Sequence, residues 1–252
     1  MKILVATSDN YSFLLPPFCE LFNRNWPGQE IIFLGFDASK IDKLPPNCSF
    51  VSLGKQQDFG KYWTTPLIPY IESLEDNHFI FTVEDVMLVG PVDISKYKLL
   101  ENEIKENNAQ KALLDSHLNM SAEPYKKGLL KLHQKANYRT TLHPSIWEKN
   151  YFLKFLKPDF TAWDFETRNM EESKRDNATI ISLDQKEFLY KSCNVYKKGI
   201  PFPRWDEKLK WGSTSGISKE DILFVYKHLP QSVQDANYDK LANLLQDGAL
   251  YC

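Results

Sequence analysis

Two adjacent carboxylates, Glu84 and Asp85, follow directly after an apolar run at residues 79–83. The chain turns apolar again at residues 86–89, so both acids are flanked by residue types that fill protein cores. Taking a charge out of water is costly, and acids in this setting need a metal ion, a basic side chain or a polar ligand. The pattern therefore predicts a buried strand that ends in a functional site. A strand end that turns into solvent is the simpler alternative.

A second pair of acids, Asp164 and Glu166, lies within a short predicted helix. Residues two apart on a helix point in different directions, so at most one of these acids faces a common site. A carboxylate there could take a proton from an attacking hydroxyl group. The flanking Trp163 and Phe165 favour Asp164, because a partly buried surround raises the basicity of a carboxylate. The alternative is an acidic first turn that is stabilised by the helix dipole.

A polar loop follows the first predicted strand and ends in an aromatic residue: Thr7, Ser8, Asp9, Asn10 and Tyr11. Short polar side chains and free amides at a strand end suit a nucleobase and a ribose, on which Tyr11 could stack. The glycine patterns of dinucleotide-binding and P-loop proteins do not occur here. The five histidines lack the spacing of a zinc site, and Asp115, Ser116 and His117 are too close in sequence to form a hydrolase triad.

Strands alternate with helices in the first part of the chain, which indicates parallel βαβ units. Strands are predicted at 3–6, 31–36, 49–53 and 79–83, and helices at 11–25 and 63–74. Beyond residue 93 the pattern predicts helices at 94–107, 147–156, 163–170, 218–228 and 238–245, strands at 111–114 and 179–183, and antiparallel additions within 125–141. Asp93, after Pro91, is expected to cap or turn the chain.

Composition narrows the functional classes. The net charge of −2 gives no general attraction to a polyanion, so general nucleic-acid binding is not expected. No stretch reaches the roughly 18 apolar residues of a transmembrane segment and no leader pattern opens the sequence, which predicts a cytoplasmic protein. The four cysteines are scattered, so free thiols are expected.

An ordered set of motifs resembles one known family. It consists of Trp63 opening a helix, the apolar strand into Glu84 and Asp85, the segment GPVD at 90–93, the segment TLHPSIWEKNYFL at 141–153 and the segment TAWDFE at 161–166. Together they resemble a nucleotide-sugar glycosyltransferase of GT-A fold, of the small kind found in bacterial and viral glycan clusters. The resemblance covers roughly residues 1–200. It implies an α/β fold of GT-A (Rossmann-like) type, with a mixed, mainly parallel central sheet flanked by helices.

The sequence shows no internal repeat, low-complexity run or linker, so a single GT-A-like domain over residues 1–252 is expected. Residues 1–93 would bind the nucleotide, residues 94–200 would carry the acceptor and catalytic side, and residues 201–252 would form an extension with a mobile loop. The polar loop from Thr7 to Tyr11, together with Trp63, would contact the nucleotide. His143, Trp205 and Trp211 would contact the acceptor or the donor sugar, although a histidine ahead of a helix is more often bonded locally.

A divalent cation, Mn²⁺ or Mg²⁺, is implied at Asp85 and Glu84, with Asp85 preferred, because a hard cation cancels charge on the departing diphosphate. The sequence departs from the family's Asp-x-Asp pattern, since Val86 and Met87 stand two residues after the two acids. Basic residues could therefore stabilise the leaving group instead.

The predicted function is transfer of a sugar, with inversion, from a nucleotide diphosphate sugar to a hydroxyl group of a glycan or other acceptor, with Asp164 or Glu166 as base. One alternative is a nucleotidyltransferase, although its Gly-rich basic loop is missing after the first strand. Another is a noncatalytic sugar- or nucleotide-binding protein descended from a glycosyltransferase.

Overall fold

The computed structural model describes residues 1–41, 43–115, 118, 121–126, 128–184, 189–197, 200–201, 217–239 and 242. Within these ranges nine strands form one mixed sheet with helices on both faces, which confirms the predicted α/β class. The sheet strands are β1 (Ile3–Ala6), β2 (Ile31–Gly35), β3 (Cys48–Ser52), β4 (His78–Val83), β6 (Lys111–Leu113), β7 (Ala122–Pro124), β8 (Leu129–Leu132), β9 (Ser145–Glu148) and β10 (Ile180–Leu183). Two small ribbons add β5 (Val86–Leu88) with β11 (Ser192–Asn194), and β12 (Tyr196–Lys197) with β13 (Ile200–Pro201).

Seven α-helices lie between strands in the chain, and two more follow the last strand of the described residues. They are α1 (Leu15–Asn25), α2 (Gln56–Phe59), α3 (Thr64–Ser73), α4 (Ile94–Asn107), α5 (Lys149–Phe155), α6 (Ala162–Arg168), α7 (Met170–Ser173), α8 (Lys219–Tyr226) and α9 (Gln231–Ala236). Short 3₁₀ helices span Asp9–Leu14 and Ala38–Lys40. The helix expected at 11–25 thus begins as a 3₁₀ turn. No helix in the described ranges combines the length and the apolar character that a membrane crossing requires.

Alternation along the strands divides the core into two layers. Ile3 and Val5 of β1 pack in a cluster with Phe18 of α1, whereas Leu4 joins Leu67 of α3 on the opposite face. Successive strand residues point to opposite faces, so a strand buried on both sides is apolar throughout. The continuous apolar runs noted in the sequence are therefore the interior strands of a three-layer sandwich.

The strand order places a switch point between β1 and β4. The order is β3-β2-β1-β4-β9-β6-β10-β8-β7. The first three strands proceed outward in one direction, and the chain then crosses back through α3 to place β4 on the other side of β1. Both β2 and β4 are parallel to β1. Loops leaving β1 and β4 diverge at such a point, where ligands of open α/β sheets bind. We call the edge formed by the last residues of β1 and β4, Ala6 and Val83, the switch edge.

The predicted helix at 147–156 is wrong at its start. Residues Ser145–Glu148 form β9, which is antiparallel to both β4 and β6, and the helix begins only at Lys149. Ile146 packs in one core layer and Trp147 in the other, as a strand requires. Glu148 then caps the helix, accepting hydrogen bonds from the amides of Asn150 (2.9 Å) and Tyr151 (2.7 Å). The strand runs into the helix without a loop, so the sequence shows only the helical spacing.

Other predicted elements agree with the structure. Helix α4 has the predicted bounds, and Asp93 is its N-cap, with Oδ1 accepting from the amides of Ser95 (3.0 Å) and Lys96 (3.2 Å). Ser218 caps α8 by accepting from the amide of Asp221 at 3.1 Å. The antiparallel additions within 125–141 are represented by β8, which pairs with β7 and β10. The helix predicted at 238–245 falls largely outside the described residues.

Candidate functional site

Side chains from three neighbouring strands meet at the switch edge because of strand register. Ser145 at the start of β9 lies opposite Phe81 of β4 on one side and Leu113 of β6 on the other. The residues just beyond these positions therefore share one end of the sheet. They are the acidic pair after β4, Asp115 after β6 and His143 before β9. The acidic pair, Glu84 and Asp85, lies at the end of a buried strand, as predicted from the sequence.

Glu84 is turned toward the end of β1. Its side chain is buried, and its amide donates to the carbonyl oxygen of Ala6, the last residue of β1, at 3.3 Å. Burial first, and then the charge of Asp85, raise the pKa of Glu84 well above its usual value, against the opposing influence of nearby backbone amides. A carboxyl that holds its proton is a poor cation ligand, so within the acidic pair Asp85 is the better candidate.

Asp85 is partly exposed at the start of the ribbon that β5 forms with β11. Its carbonyl oxygen accepts from the amide of Val195 at 2.9 Å. The neighbouring Asn194 has a buried side-chain oxygen without a hydrogen-bond partner among the described residues. Carboxylate and amide oxygens are the ligand types that Mg²⁺ and Mn²⁺ prefer.

These donors fit a divalent cation only in part. Within the described ranges, no group of three or more His, Cys, Asp or Glu side chains is arranged to hold a metal ion. The oxygens of Asp85 and Asn194 are of the right kind, but a cation here would need further ligands from the substrate or from other residues.

His143 and Asp115 form a pair beyond β9 and β6, at the same end of the sheet as the switch edge. The Nδ1 atom of His143 lies 2.8 Å from Oδ2 of Asp115, and the hydroxyl of Ser192 donates to the same oxygen at 3.1 Å. Asp115 and Ser192 are buried, whereas the side chain of His143 is 21% exposed. A carboxylate on Nδ1 fixes the orientation of the ring.

Three nearby carboxylates raise the pKa of His143. Burial by itself lowers the pKa of the imidazole, but Asp115 first, and then Glu166 and Asp85, raise it more, so that it lies above its usual value. Glu166 and Asp85 therefore share a neighbour at this end of the sheet. The arrangement places an imidazole with a raised pKa among acids, which suits hydrogen bonds to phosphate oxygens or sugar hydroxyls.

The segment before His143 is held from two sides. Lys111 donates through Nζ to the carbonyl oxygens of Arg139 (3.1 Å) and Thr141 (2.7 Å). On the other side, Oε1 of Glu166 accepts from the hydroxyl of Thr141 (3.1 Å) and the amide of Leu142 (2.7 Å). We call residues 139–142, with these bonds, the clamped segment. The clamp fixes the chain immediately ahead of His143.

Lys111 is an unusual residue at the centre of a sheet. Its side chain is fully buried, with Nζ 3.9 Å from the ring centroid of Trp147. Burial lowers its pKa well below the usual value, against the opposing influence of Glu166 and Asp115. The sequence predicted a strand here but gave no sign of this role, because a lysine in a short strand normally points to solvent.

Asp164 is engaged within its own helix. It forms a capping box with Thr161, in which the amide of Asp164 donates to the Thr161 hydroxyl oxygen at 3.0 Å and the amide of Thr161 donates to Oδ2 of Asp164 at 3.0 Å. Arg168 pairs with Oδ1 at 2.8 Å. The hydrogen bonds from the Thr161 hydroxyl and amide hold the pKa of Asp164 below its usual value. This is the alternative that the sequence left open for Asp164, an acid in the first turn of a helix.

The polar loop after β1 is ordered by its neighbours. The amide of Asp9 donates to Gln56 at 2.8 Å, and Oδ1 of Asp9 accepts from the amide of Asp37 at 2.9 Å. Thr7 packs closely on Gly35, where an added Cβ would lie 2.7 Å from Cγ2 of Thr7. The end of β2 therefore needs a glycine for the loop to adopt this position.

The aromatic residues of the predicted site have varied surroundings. Tyr11 contacts the ring of Tyr196 edge-to-face at 5.5 Å. Trp63 stacks on Phe81 and also contacts Phe165, both with centroids 5.9 Å away, in the core layer that holds α3 and α6. Trp63 is thus a packing residue, and its contact with a nucleotide stays a prediction, as does that of Ser8, Asn10 and Tyr11. Trp205 and Trp211 lie outside the described residues.

The comparisons with known proteins give distant structural similarities. No family model and no curated protein sequence matches the chain. It is similar to the galactosyltransferase LgtC in complex with donor and acceptor sugar analogues, with 15% identity over 61% of this chain and 60% of that chain and a TM-score of 0.38. The chain thus spans about three fifths of LgtC.

Two further structures show similarity of the same kind. Bifunctional IspDF from Campylobacter jejuni matches with 11% identity over 75% of this chain and 50% of that chain, at a TM-score of 0.42. The apo form of UDP-glucose pyrophosphorylase matches with 11% identity over 77% of this chain and 92% of that chain, at a TM-score of 0.47. Similarity at this level does not identify an activity, so the function has to be argued from the site.

Proposed function

We propose that the chain is a glycosyltransferase that uses a nucleotide diphosphate sugar as donor. The observation that carries the proposal is the grouping around His143, whose charge is influenced by Asp115, Glu166 and Asp85 beside the switch point of the sheet. Ligands of open α/β sheets bind at such points. The donor's diphosphate lies at the switch edge, near the polar loop from Thr7 to Tyr11.

Glu166 is the proposed base that takes the proton of the acceptor hydroxyl. It is partly exposed, and both hydrogen bonds to its carboxylate within the described residues reach the same atom, Oε1. The competing acid, Asp164, is committed to its capping box and to Arg168. A pKa below the usual value also makes Asp164 a weaker base. Of the two acids named from the sequence, Glu166 is therefore the better candidate for the base.

His143 and Asp85 are the proposed contacts to the donor. The imidazole, held by Asp115, is the proposed contact to a phosphate or sugar oxygen. Asp85 would hold a divalent cation, with the side-chain oxygen of Asn194 as a further ligand. When bound, such an ion neutralises charge on the diphosphate. The acid excess around His143 supports the need for added positive charge.

A donor-hydrolysis screen tests the proposal. The full chain is incubated with UDP-glucose, UDP-galactose, UDP-N-acetylglucosamine and GDP-mannose in the presence of Mn²⁺, and released nucleoside diphosphate is measured with and without a panel of glycoside acceptors. We expect release that rises with acceptor and falls 10²- to 10⁴-fold in Glu166→Gln, the range for loss of a general base. Asp164→Asn is the matched control and should keep most of the activity.

The products separate the proposal from its alternatives. A nucleotidyltransferase would instead form a nucleotide sugar and pyrophosphate from a nucleoside triphosphate and a sugar 1-phosphate. A protein that only binds sugars or nucleotides would release nothing. Either result, or equal activity in Glu166→Gln and wild type, would refute the proposal.

A further inference from the structure

The geometry points to a sugar-binding surface formed by the side chains of Trp163 and Tyr138, which receives the acceptor's pyranose ring. We call these two side chains the aromatic platform. This inference rests on the proposed function and adds the place where the acceptor binds. Neither residue was assigned a binding role from the sequence.

The exposure of Trp163 is the first observation. Its relative accessibility is 56%, whereas Trp26, Trp63 and Trp147 of the described residues are buried or partly buried. A large aromatic side chain left in water forgoes the stabilisation that burial would give. A single exposed aromatic residue is common on protein surfaces, so its neighbours decide whether it marks a binding surface.

The second observation is the ring that lies beside it. The centroids of Trp163 and Tyr138 are 6.4 Å apart and their planes are inclined by 53°. The two rings thus form an angled surface rather than a flat stack. The C–H groups on one face of a pyranose carry partial positive charge and pack on the negative face of an aromatic ring. An angled pair can contact one sugar face and one sugar edge together.

The backbone holds Tyr138 firmly in this position. Tyr138 has a φ of 57°, a left-handed conformation that is uncommon for a bulky residue. Its carbonyl oxygen accepts from the amide of Thr141 at 2.9 Å. The next residue, Arg139, is fully buried and donates to the carbonyl oxygens of Ser173 (3.0 Å) and Ala178 (2.8 Å). Non-glycine residues in this conformation often belong to functional sites.

The platform is continuous with the proposed base. Trp163 and Glu166 are three residues apart on α6, so their side chains lie on neighbouring parts of one helix face. From Tyr138 the turn leads to Thr141, whose hydroxyl donates to Glu166 at 3.1 Å. A sugar ring on the platform would therefore present a hydroxyl group toward Glu166. This continuity favours an acceptor sugar over a second protein as the occupant.

Charged groups stand next to the platform. Asp164 and Arg168 form an ion pair at 2.8 Å, and the guanidinium of Arg168 lies 5.4 Å from the ring centroid of Phe160. The side chain of Arg168 is 65% exposed. Sugars are bound by ring stacking together with planar polar groups at the ring edge, and this surface offers both.

Saturation-transfer NMR on the full chain tests the inference. The probes are methyl β-galactoside, methyl β-glucoside and methyl N-acetyl-β-glucosaminide, with irradiation of the protein's aromatic protons. We expect transfer to the ring protons of at least one glycoside, and a decrease of about ten-fold in Trp163→Ala. Trp163→Phe should retain a measurable part of the transfer. Tyr238→Ala, which removes another exposed aromatic side chain, should leave it unchanged.

Donor hydrolysis in the absence of acceptor is measured on the same samples. Tyr238→Ala is the control for donor hydrolysis and should match the wild type, and the circular dichroism spectrum of Trp163→Ala should show that this variant is folded. If donor is hydrolysed but NMR saturation transfer to the glycosides is equal in Trp163→Ala and wild type, or is absent from both, the aromatic platform is refuted and the proposed function stands. If no donor is hydrolysed but NMR saturation transfer to the glycosides depends on Trp163, the aromatic platform stands and the glycosyltransferase proposal fails.

Discussion

His143 and Asp115 are 28 residues apart in the chain, yet Nδ1 of the first lies 2.8 Å from Oδ2 of the second. The contact follows from the antiparallel pairing of β6 with β9, which sets Leu113 opposite Ser145. Each of these residues stands two positions from its member of the pair. Strand register therefore builds the centre of the candidate site.

Asp115→Asn should lower the pKa of His143. Among the acids that raise the pKa of His143, Asp115 has the largest influence. Burial lowers this pKa, and without Asp115 fewer groups oppose that effect. NMR titration of the imidazole protons measures the change. The pKa of His78, which is lowered chiefly by burial at the other end of β4, provides an internal control and should not move. An unchanged pKa of His143 would contradict the assignment.

The same substitution should alter how stability depends on pH. A histidine whose pKa is raised in the folded state stabilises the fold fully below the unfolded value, near 6.5, and this contribution is lost as pH rises through the folded pKa. Chemical denaturation between pH 5.5 and 8.5 should therefore show a smaller loss of stability over this interval in Asp115→Asn than in wild type. Parallel curves for the two proteins would refute the coupling.

Lys111→Met should destabilise the clamped segment. The change keeps the length of the side chain but leaves the carbonyl oxygens of Arg139 and Thr141 without their donor. Each buried acceptor left unpaired costs about 1–3 kcal/mol in the free energy of unfolding, offset in part by removal of a buried amine. Chemical denaturation measures the loss, with Lys43→Met in an exposed loop as the control.

Activity gives a second test of the clamp. Because the clamped segment positions His143, Lys111→Met should also release less nucleoside diphosphate in the donor assay, at a temperature where the variant is folded. A variant that matches Lys43→Met in both stability and activity would show that Lys111 does not position His143.

The sequence predicted the fold where local pattern and tertiary context agree. The apolar strand into the acidic pair and helix α4 are examples, because the continuous apolar run and the capping residue Asp93 are visible in the chain. It failed at β9, where Trp147 continues the spacing of the helix that follows. Lys111 and Asp115 were not identified as site residues, because their roles depend on which strands become neighbours. Such long-range pairing leaves no signal in a short window of sequence.

Thr161→Ala should reduce stability without changing the chemistry of the site. Thr161 is the N-cap of α6, and its hydroxyl oxygen accepts from the amide of Asp164 at 3.0 Å. Loss of such a cap costs about 0.5–2 kcal/mol. Thermal and chemical denaturation measure this cost, and donor hydrolysis should stay near the wild-type rate. A large loss of hydrolysis in the folded variant would mean that the capping box is part of the catalytic machinery.

Glu84→Gln should be tolerated, because the amide resembles the protonated carboxyl that burial favours. A glutamate whose pKa is raised in the folded state stabilises the fold fully when the pH is below its pKa in the unfolded state, near 4.3. This contribution is lost as the pH rises through the pKa of the folded state. Between these two pKa values the free energy of unfolding of the wild type should fall by up to about 1.4 kcal/mol per pH unit, and that of Glu84→Gln should fall less. Denaturation curves between pH 4.5 and 8 would contradict this if both proteins show the same slope.

Calorimetric titration of nucleotides tests the central claim most directly. The full chain is titrated with UDP, GDP and the matching nucleotide sugars, with and without Mn²⁺, and the titration is repeated with Asp85→Ala and His143→Ala. We expect at least one nucleoside diphosphate to bind and each substitution to weaken its binding about ten-fold or more. The effect of Mn²⁺ on binding should be lost in Asp85→Ala. Absence of binding to the wild type, or equal affinity in all three proteins, would contradict a diphosphate site at the switch edge.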